Sequence, residues 1–555
     1  MSRLVLIRPD RSVKREFLSS MMPTNLAILA AWVRKQGHEV QIWDYQMEEY
    51  QEHEFVARLA AYKPDIVGFT CYTPNVKIGH LMAEVVKRHH PDVVTVVGGP
   101  HATYMTKESL EEFWAYDIAI VGEGEVSLAK VCELGRRALT EEIDVPSSAV
   151  RRNSGIHVNR ERVIVDHLDE IGVPAYDLMD FQHSKRSMRG FSSEFVPVAE
   201  LLTSRGCPFT CTFCAAFVST GRKLRDRTPA NVIAEAKHMM ETFGIKHFNI
   251  IDDTFTVRKD HVYPIAEGLH ALGATWNCWA HINTLDMPLL THMKENGCTG
   301  LLIGVESGSP RVLKKLKKGL TVERIKRGFE MINEVGFKNV EANFIVGSDP
   351  DETLEDIALT KQIIRDINPS ILAVSVICPY PGTPVFDEMR ERNLIFSFDW
   401  NNYVTYGKTP LWRTINFSPE QLVRLQAEIM GSFYFNPSYV LHRLRSAANF
   451  NEVLYYVRGG LIFLRDLIKV ELLGLRKWGI DRGQAVPMPS MTSAVTRPDL
   501  AMSAGKRDDG SYDRNILVRE MTRAKDVHHE ATAANAAAAA SASAASASTA
   551  PVTVQ

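Results

Sequence analysis

The most informative stretch of this chain reads Arg205-Gly206-Cys207-Pro208-Phe209-Thr210-Cys211-Thr212-Phe213-Cys214. Three of the chain's eight cysteines lie here, in a C-x3-C-x2-C arrangement that follows a predicted strand. Three thiolates on one short loop can ligate three irons of a four-iron, four-sulfur cluster, because cysteine is the usual ligand of such clusters. The fourth iron is then open to chelate a small molecule.

Two other interpretations of these cysteines are weaker. A structural zinc site requires four protein ligands, and the nearest histidines, His183 and His238, lie at no zinc-like spacing. Chance clustering of three buried cysteines is the other alternative, but the loop position fits a cluster as well as the spacing does. We therefore expect a 4Fe-4S cluster on Cys207, Cys211 and Cys214.

Around this loop, residues 195–394 alternate short β-branched runs with helical patterns. The predicted strands are Val198–Thr203, His247–Ile251, Trp276–Ala280, Gly300–Gly304, Val340–Val346 and Ile371–Ile377. Strands that alternate with helices predict a parallel sheet with right-handed crossovers. Six such units are too few for a closed eight-stranded barrel, so we expect a partial (β/α)6 TIM-like barrel with its active site at the carboxyl ends of the strands.

An earlier alternating series covers residues 1–145. Its predicted strands are Leu4–Ile7, Val40–Trp43, Asp65–Thr70, Val93–Val97 and Asp117–Val121. The pattern predicts an α/β, doubly wound, flavodoxin-like domain, which binds ligands beyond the carboxyl ends of its strands. Small and polar residues follow those ends, so we expect a cavity lined by backbone amides there.

The rest of the chain divides into three segments. Residues 146–194 are interpreted as a linker, 395–482 as a mainly helical C-terminal region, and 483–555 as a disordered Ala/Ser-rich tail. The balance of 64 Lys and Arg against 66 Asp and Glu argues against nucleic-acid binding. The sequence has neither a run of about 18 apolar residues nor the apolar segment of a secretion signal, so we expect a cytoplasmic protein without a membrane span.

The cysteine triplet, placed after the first strand of a six-unit partial barrel, resembles the signature of the radical S-adenosylmethionine (SAM) enzymes. The resemblance implies that Cys207, Cys211 and Cys214 hold the cluster and that its open iron binds SAM. In that family an electron from the cluster cleaves SAM to a 5′-deoxyadenosyl radical. The resemblance also implies SAM contacts from Phe213, Asp252, Gly304 and Glu306.

Each of these contacts has its own reason in the sequence. Phe213 matches the aromatic residue that the family commonly has just before its third cysteine. Gly304 and Glu306 end the fourth strand, where a glycine permits close backbone approach and a carboxylate can accept hydrogen bonds from the cofactor. A helix N-terminal charge is the alternative role for Glu306. Asp252 follows the second strand beside Asp253, and a helix cap is the alternative role there.

The first domain resembles the cobalamin-binding domain that one large radical SAM subfamily carries in front of its barrel. Four pieces match in order: Pro23–Leu26, Thr70–Thr73, Gly98–His101 and Gly122–Glu125. The resemblance implies cobalamin contacts from Thr70, Thr73, Gly98, Gly99, Gly122 and Glu123. Residues 1–150 have no Asp-x-His-x-x-Gly motif, so we expect the lower face of the cobalamin to have no histidine ligand.

Methylthiotransferases carry a different N-terminal domain, which supplies three further cluster cysteines. The first domain here has only Cys71 and Cys132, too few for that second cluster. The neutral charge balance also argues against a transfer RNA substrate. The sequence therefore favours cobalamin over methylthiolation.

The leading hypothesis is a cobalamin-dependent radical SAM methyltransferase that acts on an unactivated carbon of a small-molecule, lipid or natural-product substrate. A radical SAM oxidative cyclase or ring-rearranging enzyme, resembling the anaerobic magnesium-protoporphyrin ester cyclase, stays open because it shares this architecture. A non-enzymatic sensor is disfavoured, since three cofactor loops together indicate catalysis. The expected partner is a reductant such as flavodoxin or ferredoxin. Peripheral membrane contact is an open alternative, and the sequence indicates no catalytic acid or base.

Overall fold

A computed structural model describes residues 1–10, 22–140, 143–181, 197–406 and 409–446, together with 453, 454, 457, 460 and 461. The tail at 483–555 lies outside the described residues, so its disorder stays a prediction. The same holds for most of the predicted C-terminal region beyond residue 446.

The first domain is built on one seven-stranded sheet. Its strands are β1 (Arg3–Arg8), β2 (Glu39–Asp44), β3 (Ile66–Thr70), β4 (Val94–Gly98), β5 (Ile118–Ile120), β6 (Ser148–Arg152) and β7 (Gly155–Asn159). Its helices are α1 (Thr24–Lys35), α2 (Glu52–Tyr62), α3 (Val76–His89), α4 (Pro100–Tyr104), α5 (Thr106–Glu112) and α6 (Glu125–Leu134). The order β2-β1-β3-β4-β5 with parallel pairing confirms the flavodoxin-like topology.

Strands β6 and β7 differ from the sequence interpretation, which placed residues 146–194 in a linker. They form a hairpin in which Arg152 lies opposite Gly155 across a two-residue turn, and β6 pairs antiparallel with β5. The pairing covers the edge of β5, whose backbone groups would otherwise be unpaired. It also buries Ala149 and Val150 in the domain core.

The second domain contains a six-stranded parallel sheet. The strands of this region are β8 (Val198–Leu201), β9 (Ser204–Arg205), β10 (Arg225–Asp226), β11 (His247–Ile250), β12 (Thr275–Ala280), β13 (Cys298–Glu306), β14 (Asn339–Val346) and β15 (Ile371–Val376). The sheet order is β15-β14-β13-β12-β11-β8, with β8 and β15 at its two edges. An open sheet of six parallel strands confirms the partial (β/α)6 barrel.

Helices surround this sheet and continue past it. They are α7 (Ala216–Thr220), α8 (Pro229–Phe243), α9 (Lys259–Ala271), α10 (Met287–Glu295), α11 (Pro310–Lys315), α12 (Val322–Val335), α13 (Leu354–Ile367), α14 (Pro384–Glu391), α15 (Pro419–Tyr434) and α16 (Pro437–Ser446). Several start at a side chain that accepts a hydrogen bond from the first turn: Thr228, Asp286, Ser309, Thr321, Thr353, Thr383 and Ser418. Among the described residues, no helix combines the length and the apolar character that a bilayer crossing requires.

The two faces of the barrel sheet have different packing. Along β14, Val340, Ala342 and Phe344 are buried in the core with the surrounding helices, whereas Glu341 and Asn343 on the other face are partly exposed. The C-terminal region packs on the first domain, since Trp400 lies in the same core as its strands and donates to Glu112 at 2.8 Å. The carboxyl ends of strands from both sheets border one cavity.

Candidate active site

The three predicted cluster cysteines lie on a loop, residues 206–224, that leaves the barrel through β9 and returns through β10. These short strands pair antiparallel, with Arg205 opposite Arg225, and so close the base of the loop. Gly206 begins the loop with φ +95°, and a Cβ there would lie 2.3 Å from the backbone oxygen of Lys223. Only glycine can pass so close to the returning strand.

Cys207, Cys211 and Cys214 are all partly buried and free of disulfides. Within the loop, the backbone N–H of Cys214 donates to the Cys211 oxygen at 3.4 Å. Burial, together with the neighbouring Cys211, Asp253 and Cys207, raises the pKa of the Cys214 thiol to about 11. Burial also raises the pKa of Cys211, although a nearby Lys318 ammonium opposes it. The three predicted ligands therefore share one partly buried loop, and a positive charge beside Cys211 favours its thiolate.

This donor set fits the predicted cluster. Among the described residues, no three His, Cys, Asp or Glu side chains are arranged around a point that a single metal ion can occupy. A four-iron cluster does not require such convergence, because each thiolate binds a different iron. The other five cysteines are buried and lie away from the loop, at Cys71, Cys132, Cys278, Cys298 and Cys378.

Glu306 lies at the end of β13 in an ion pair that the sequence did not reveal. Its carboxylate accepts a hydrogen bond from Lys318 at 2.5 Å, and both side chains are less than 10% exposed. Burial works against the Lys318 ammonium, but Glu306 outweighs it and the pKa of Lys318 is raised. Lys318 belongs to the run Lys314–Gly319, whose lysines are typical of an exposed surface, so no signal singled it out.

Gly304 makes room for this ion pair. A Cβ at Gly304 would lie 2.3 Å from the Glu306 carboxylate and 2.4 Å from the Lys318 ammonium. Glu306 itself has φ +70°, a backbone conformation that non-glycine residues rarely adopt, at a register shift between β13 and β14. The end of β13 therefore accommodates the Glu306 carboxylate and the Lys318 ammonium because Gly304 has no side chain.

Phe213 lies beside this ion pair, with the Lys318 ammonium 5.8 Å from its ring centroid. On the other side of the loop, Phe209 stacks on His281 with centroids 3.9 Å apart. Burial lowers the pKa of His281 to about 3, with Lys318 adding to the effect, so its ring is neutral. The aromatic residues of the cysteine loop therefore rest on side chains of the barrel.

Asp252 and Asp253 have different surroundings. The oxygens of Asp252 accept hydrogen bonds from the Thr203 backbone at 2.6 Å and from the Ser204 hydroxyl at 2.6 Å, and the residue is fully buried. This differs from the predicted SAM contact, because the carboxylate is occupied by the segment that leads into the cysteine loop. Asp253 instead accepts from Thr220 at 3.1 Å and borders a cavity.

That cavity, of about 310 Å³, lies at the carboxyl ends of the first domain's strands. The first domain lines it with five of the six residues predicted for cobalamin: Thr70, Gly98, Gly99, Gly122 and Glu123. The barrel adds side chains from the base of the cysteine loop and beyond it: Ser204, Arg205, Ser219, Thr220 and Asp253. The cavity therefore lies between the two predicted cofactor regions.

Three glycines that line this cavity, Gly98, Gly99 and Gly122, are called the glycine cradle. A Cβ on Gly98 would meet nothing within 4 Å, whereas one on Gly99 would lie 2.8 Å from the Cys71 oxygen. Thr70 is held by Asn25 at 3.3 Å. Thr73 differs from the prediction, because it is buried against His101 at 3.3 Å and does not line the cavity. The open space above Gly98 fits a ligand that approaches the backbone closely.

Glu123 borders the cavity, but its carboxylate is already paired. Arg205 donates to one of its oxygens at 2.7 Å and to Glu125 at 2.6 Å. Arg225 donates to the same Glu123 oxygen at 3.0 Å and contacts the other oxygen as well. All four side chains are less than 10% exposed. This carboxylate therefore takes part in an ion-pair network between the two domains, and its contact with cobalamin stays a prediction.

Comparisons with known proteins agree with this arrangement. Two family models match the chain, the B12 binding domain over residues 11–131 and the Radical SAM superfamily over residues 201–360. The uncharacterized methyltransferase PH0819 of Pyrococcus horikoshii is 28% identical over 440 residues, which cover 79% of this chain and 93% of that protein. The anaerobic magnesium-protoporphyrin IX monomethyl ester cyclase of Rubrivivax gelatinosus is 26% identical over 73% of this chain and 73% of that protein.

A solved structure has the same two-domain fold. The cobalamin-dependent S-adenosylmethionine radical enzyme OxsB, with aqua-cobalamin and SAM bound, matches with a TM-score of 0.64 at 18% identity, over 85% of this chain and 72% of that one. The B12 model spans the glycine cradle, and the radical SAM model spans the cysteine loop and Glu306. The cofactors are therefore cobalamin, SAM and a 4Fe-4S cluster. This chain thus combines a B12 binding domain with a Radical SAM domain, which is the domain composition of the cobalamin-dependent radical SAM enzymes.

Proposed function

We propose that this protein is a cobalamin-dependent radical SAM methyltransferase that methylates an unactivated carbon. The observation that carries the proposal is the cavity between the glycine cradle and the base of the cysteine loop, since both domains contribute to its wall. When bound, the cluster with SAM supplies homolytic hydrogen abstraction, and cobalamin supplies the methyl group. The similarity to PH0819, a protein named as a methyltransferase, supports this choice.

In this proposal Cys207, Cys211 and Cys214 hold the cluster. The buried pair of Glu306 and Lys318 supplies charged groups beside Cys211. Glu306 is positioned to accept hydrogen bonds from the ammonium or ribose hydroxyls of SAM. Lys318 fixes the Glu306 carboxylate, and its charge favours deprotonated cysteines.

Two further predicted contacts act indirectly. Phe213 packs on the Lys318 ammonium and shields this ion pair from water. Asp252 holds Thr203 and Ser204 at the entry to the cysteine loop, so we assign it a positioning role instead of a direct SAM contact.

On the cobalamin side, Gly98, Gly99 and Gly122 supply backbone that a large planar ligand can approach closely. His101 is buried with its ring centroid 5.1 Å from that of Trp400 and does not line the cavity, so we propose that it is not a ligand below the cobalt.

The substrate proposed is a small molecule, a lipid or a natural-product scaffold, and the proposed electron donor is a flavodoxin or ferredoxin. The proposal places the protein in the cytoplasm, where reductants keep thiols free. All eight cysteines are free, which agrees with a reducing compartment.

A cyclase is the second candidate function. The observation in its favour is the similarity to the Rubrivivax cyclase, which extends over 73% of this chain. Cyclisation would use the same cluster, SAM and cobalamin without net transfer of a methyl group to the substrate.

Product analysis separates the two functions. Anaerobically reconstituted protein is incubated with a reductant, methyl-deuterated SAM and extracts of small molecules and lipids. Methylation predicts S-adenosylhomocysteine and 5′-deoxyadenosine together, with a product that carries the deuterated methyl group. Deoxyadenosine alone, with an unmethylated product, would favour the cyclase. A Cys211→Ala variant, which should form no 5′-deoxyadenosine and no deuterated product, controls for contaminating activities.

A further inference from the structure

The loop that carries the three cysteines is attached at both of its ends to the cobalamin domain. Arg205, at the start of the loop, and Arg225, at its end, are cross-strand neighbours in the β9–β10 ladder. Both guanidinium groups donate to the carboxylate of Glu123, and Arg225 also donates to the Val165 oxygen at 2.8 Å. One carboxylate from the glycine-rich turn after β5 therefore bridges the two strands that close the loop.

The network is buried, and its positive and negative charges are equal in number. Two carboxylates, Glu123 and Glu125, face two guanidinium groups, and each side chain is less than 10% exposed. Burial works against the charge of Glu125, but Arg205 outweighs it and the pKa of Glu125 is lowered. Removal of one partner from such a network leaves an uncompensated buried charge, which is far more costly than the loss of an exposed pair.

A second contact ties the middle of the loop to the same domain. Tyr104, at the end of α4, donates its hydroxyl to the Ala215 oxygen at 2.5 Å, directly after Cys214. Gly122, the neighbour of Glu123, lies against this segment as well, since a Cβ on it would lie 3.3 Å from the Ser219 oxygen. The cobalamin domain thus contacts the loop at its base and beyond its last cysteine.

We propose that Glu123 is a positioning residue that clamps both ends of the cysteine loop to the cobalamin domain and thereby sets the separation between the cobalamin cavity and the cluster. That Glu123 holds the two ends of the loop is a property of the polypeptide alone. The part that concerns the distance between the cofactors rests on the proposed function.

The first test uses hydrogen–deuterium exchange on the full chain without cofactors. In Glu123→Gln, the peptides of residues 206–224 should exchange about tenfold faster or more than in wild type, because a charge-assisted hydrogen bond at each end of the loop is lost. Peptides from β13 and β14 should be unchanged. Lys77→Met is the matched control, since Lys77 pairs with Asp399 between the same domain and the C-terminal region but is about one-third exposed. Equal protection of residues 206–224 in Glu123→Gln and wild type would overturn the proposal.

If Glu123→Gln does not fold, Arg225→Lys takes its place, because it keeps the buried positive charge and removes the two-point contact with Glu123. Faster exchange of residues 206–224 is again the expected result, and unchanged exchange would again overturn the proposal.

The second test measures the cofactors themselves by electron paramagnetic resonance. In reconstituted protein that holds both, the magnetic interaction between the reduced cluster and Co(II) cobalamin depends on their separation. In samples matched for iron and cobalamin content, Glu123→Gln should change this interaction and Lys77→Met should not. An identical interaction in Glu123→Gln and wild type would overturn the distance claim. Neither the hydrogen–deuterium exchange nor the magnetic interaction depends on methyl transfer. Failure of the proposed methyltransferase function can therefore be distinguished from failure of the role proposed for Glu123.

Discussion

At the scale of single residues, Gly304, Glu306 and Lys318 depend on one another. Glu306 and Gly304 were predicted from the resemblance, because strand-end glycines and a carboxylate are visible in one strand. Lys318 was not, because its partner lies twelve positions away and its own surroundings are a run of lysines. Asp252 lies at the predicted end of the barrel, but its carboxylate accepts hydrogen bonds from Thr203 and Ser204, which the sequence did not reveal. Strand ends can be read from sequence, whereas the partners of buried charges depend on the fold.

Gly304→Ala tests this arrangement. The added Cβ would overlap the ends of the Glu306 and Lys318 side chains, which can move, so the fold should be retained while the ion pair is displaced. We expect SAM to bind about tenfold more weakly, a loss typical of one hydrogen bond to a charged group. Equilibrium dialysis of SAM against reconstituted protein measures the affinity.

Gly98→Ala is the matched control on the cobalamin side. Its Cβ would meet no protein atom within 4 Å, so we expect normal SAM affinity and weaker retention of cobalamin. Unchanged SAM affinity in Gly304→Ala would contradict the assigned role of the ion pair.

At the scale of elements, the predicted barrel strands β11, β12, β14 and β15 agree with the structure to within one residue at each end, because short runs with apolar residues alternate with helical patterns along this part of the chain. The β6–β7 hairpin was missed, although Asn153-Ser154-Gly155 between two short runs is a turn signal. The alternation of buried and exposed residues is weak in this hairpin, because β7 is largely exposed. The pairing of β6 with β5 therefore decides its structure. The turn after β13 also depends on packing, since Gly308 lies against α13.

Gly308→Ala should destabilise this packing. A Cβ at Gly308 would lie 2.3 Å from the Leu359 backbone oxygen, which cannot move without shifting α13. We expect a loss of roughly 1–3 kcal/mol, as for other overpacked sites. Chemical denaturation of the apo protein gives the free energy of unfolding.

Gly336→Ala separates crowding from backbone strain. Gly336 has φ +84° at the end of α12, and its Cβ would meet nothing within 4 Å, so this substitution should cost only about 1 kcal/mol. If Gly308→Ala cost no more than Gly336→Ala, the close packing of the β13 turn on α13 would be refuted.

At the scale of the whole molecule, buried charges join the two domains. Besides the Glu123 network, Glu200 on β8 is 7% exposed and accepts a hydrogen bond from Thr24 of α1 at 3.2 Å. Its other oxygen is buried without a hydrogen bond. The two domains were predicted separately from their patterns, but sequence patterns carry no information on which faces meet, so neither interdomain contact was foreseen.

Glu200 makes stability depend on pH. Burial raises the pKa of Glu200 from 4.5 to about 7, although Thr24 opposes the shift. The folded chain therefore keeps a proton that the unfolded chain loses above about pH 4.5, and this contribution to stability is lost as the pH rises to about 7. The linked change is roughly 3 kcal/mol. Glu200→Gln should remove it.

The measurement is thermal unfolding of the wild type and Glu200→Gln at pH 5 and pH 8. Other titrating groups are common to both proteins and cancel in the comparison. Relative to wild type, the variant should gain stability between pH 5 and pH 8. A constant difference between the two proteins across this range would show that Glu200 does not titrate as the structure indicates.

One chain should hold a cluster and cobalamin at separate sites. Iron analysis and ultraviolet–visible spectra show whether it does, in protein that is reconstituted anaerobically with iron, sulfide and hydroxocobalamin and then desalted. Wild type should retain both cofactors, and a variant with Cys207, Cys211 and Cys214 replaced by alanine should lose the cluster and keep cobalamin. If wild-type protein retained no cobalamin after desalting, the first domain would not be a cobalamin-binding domain.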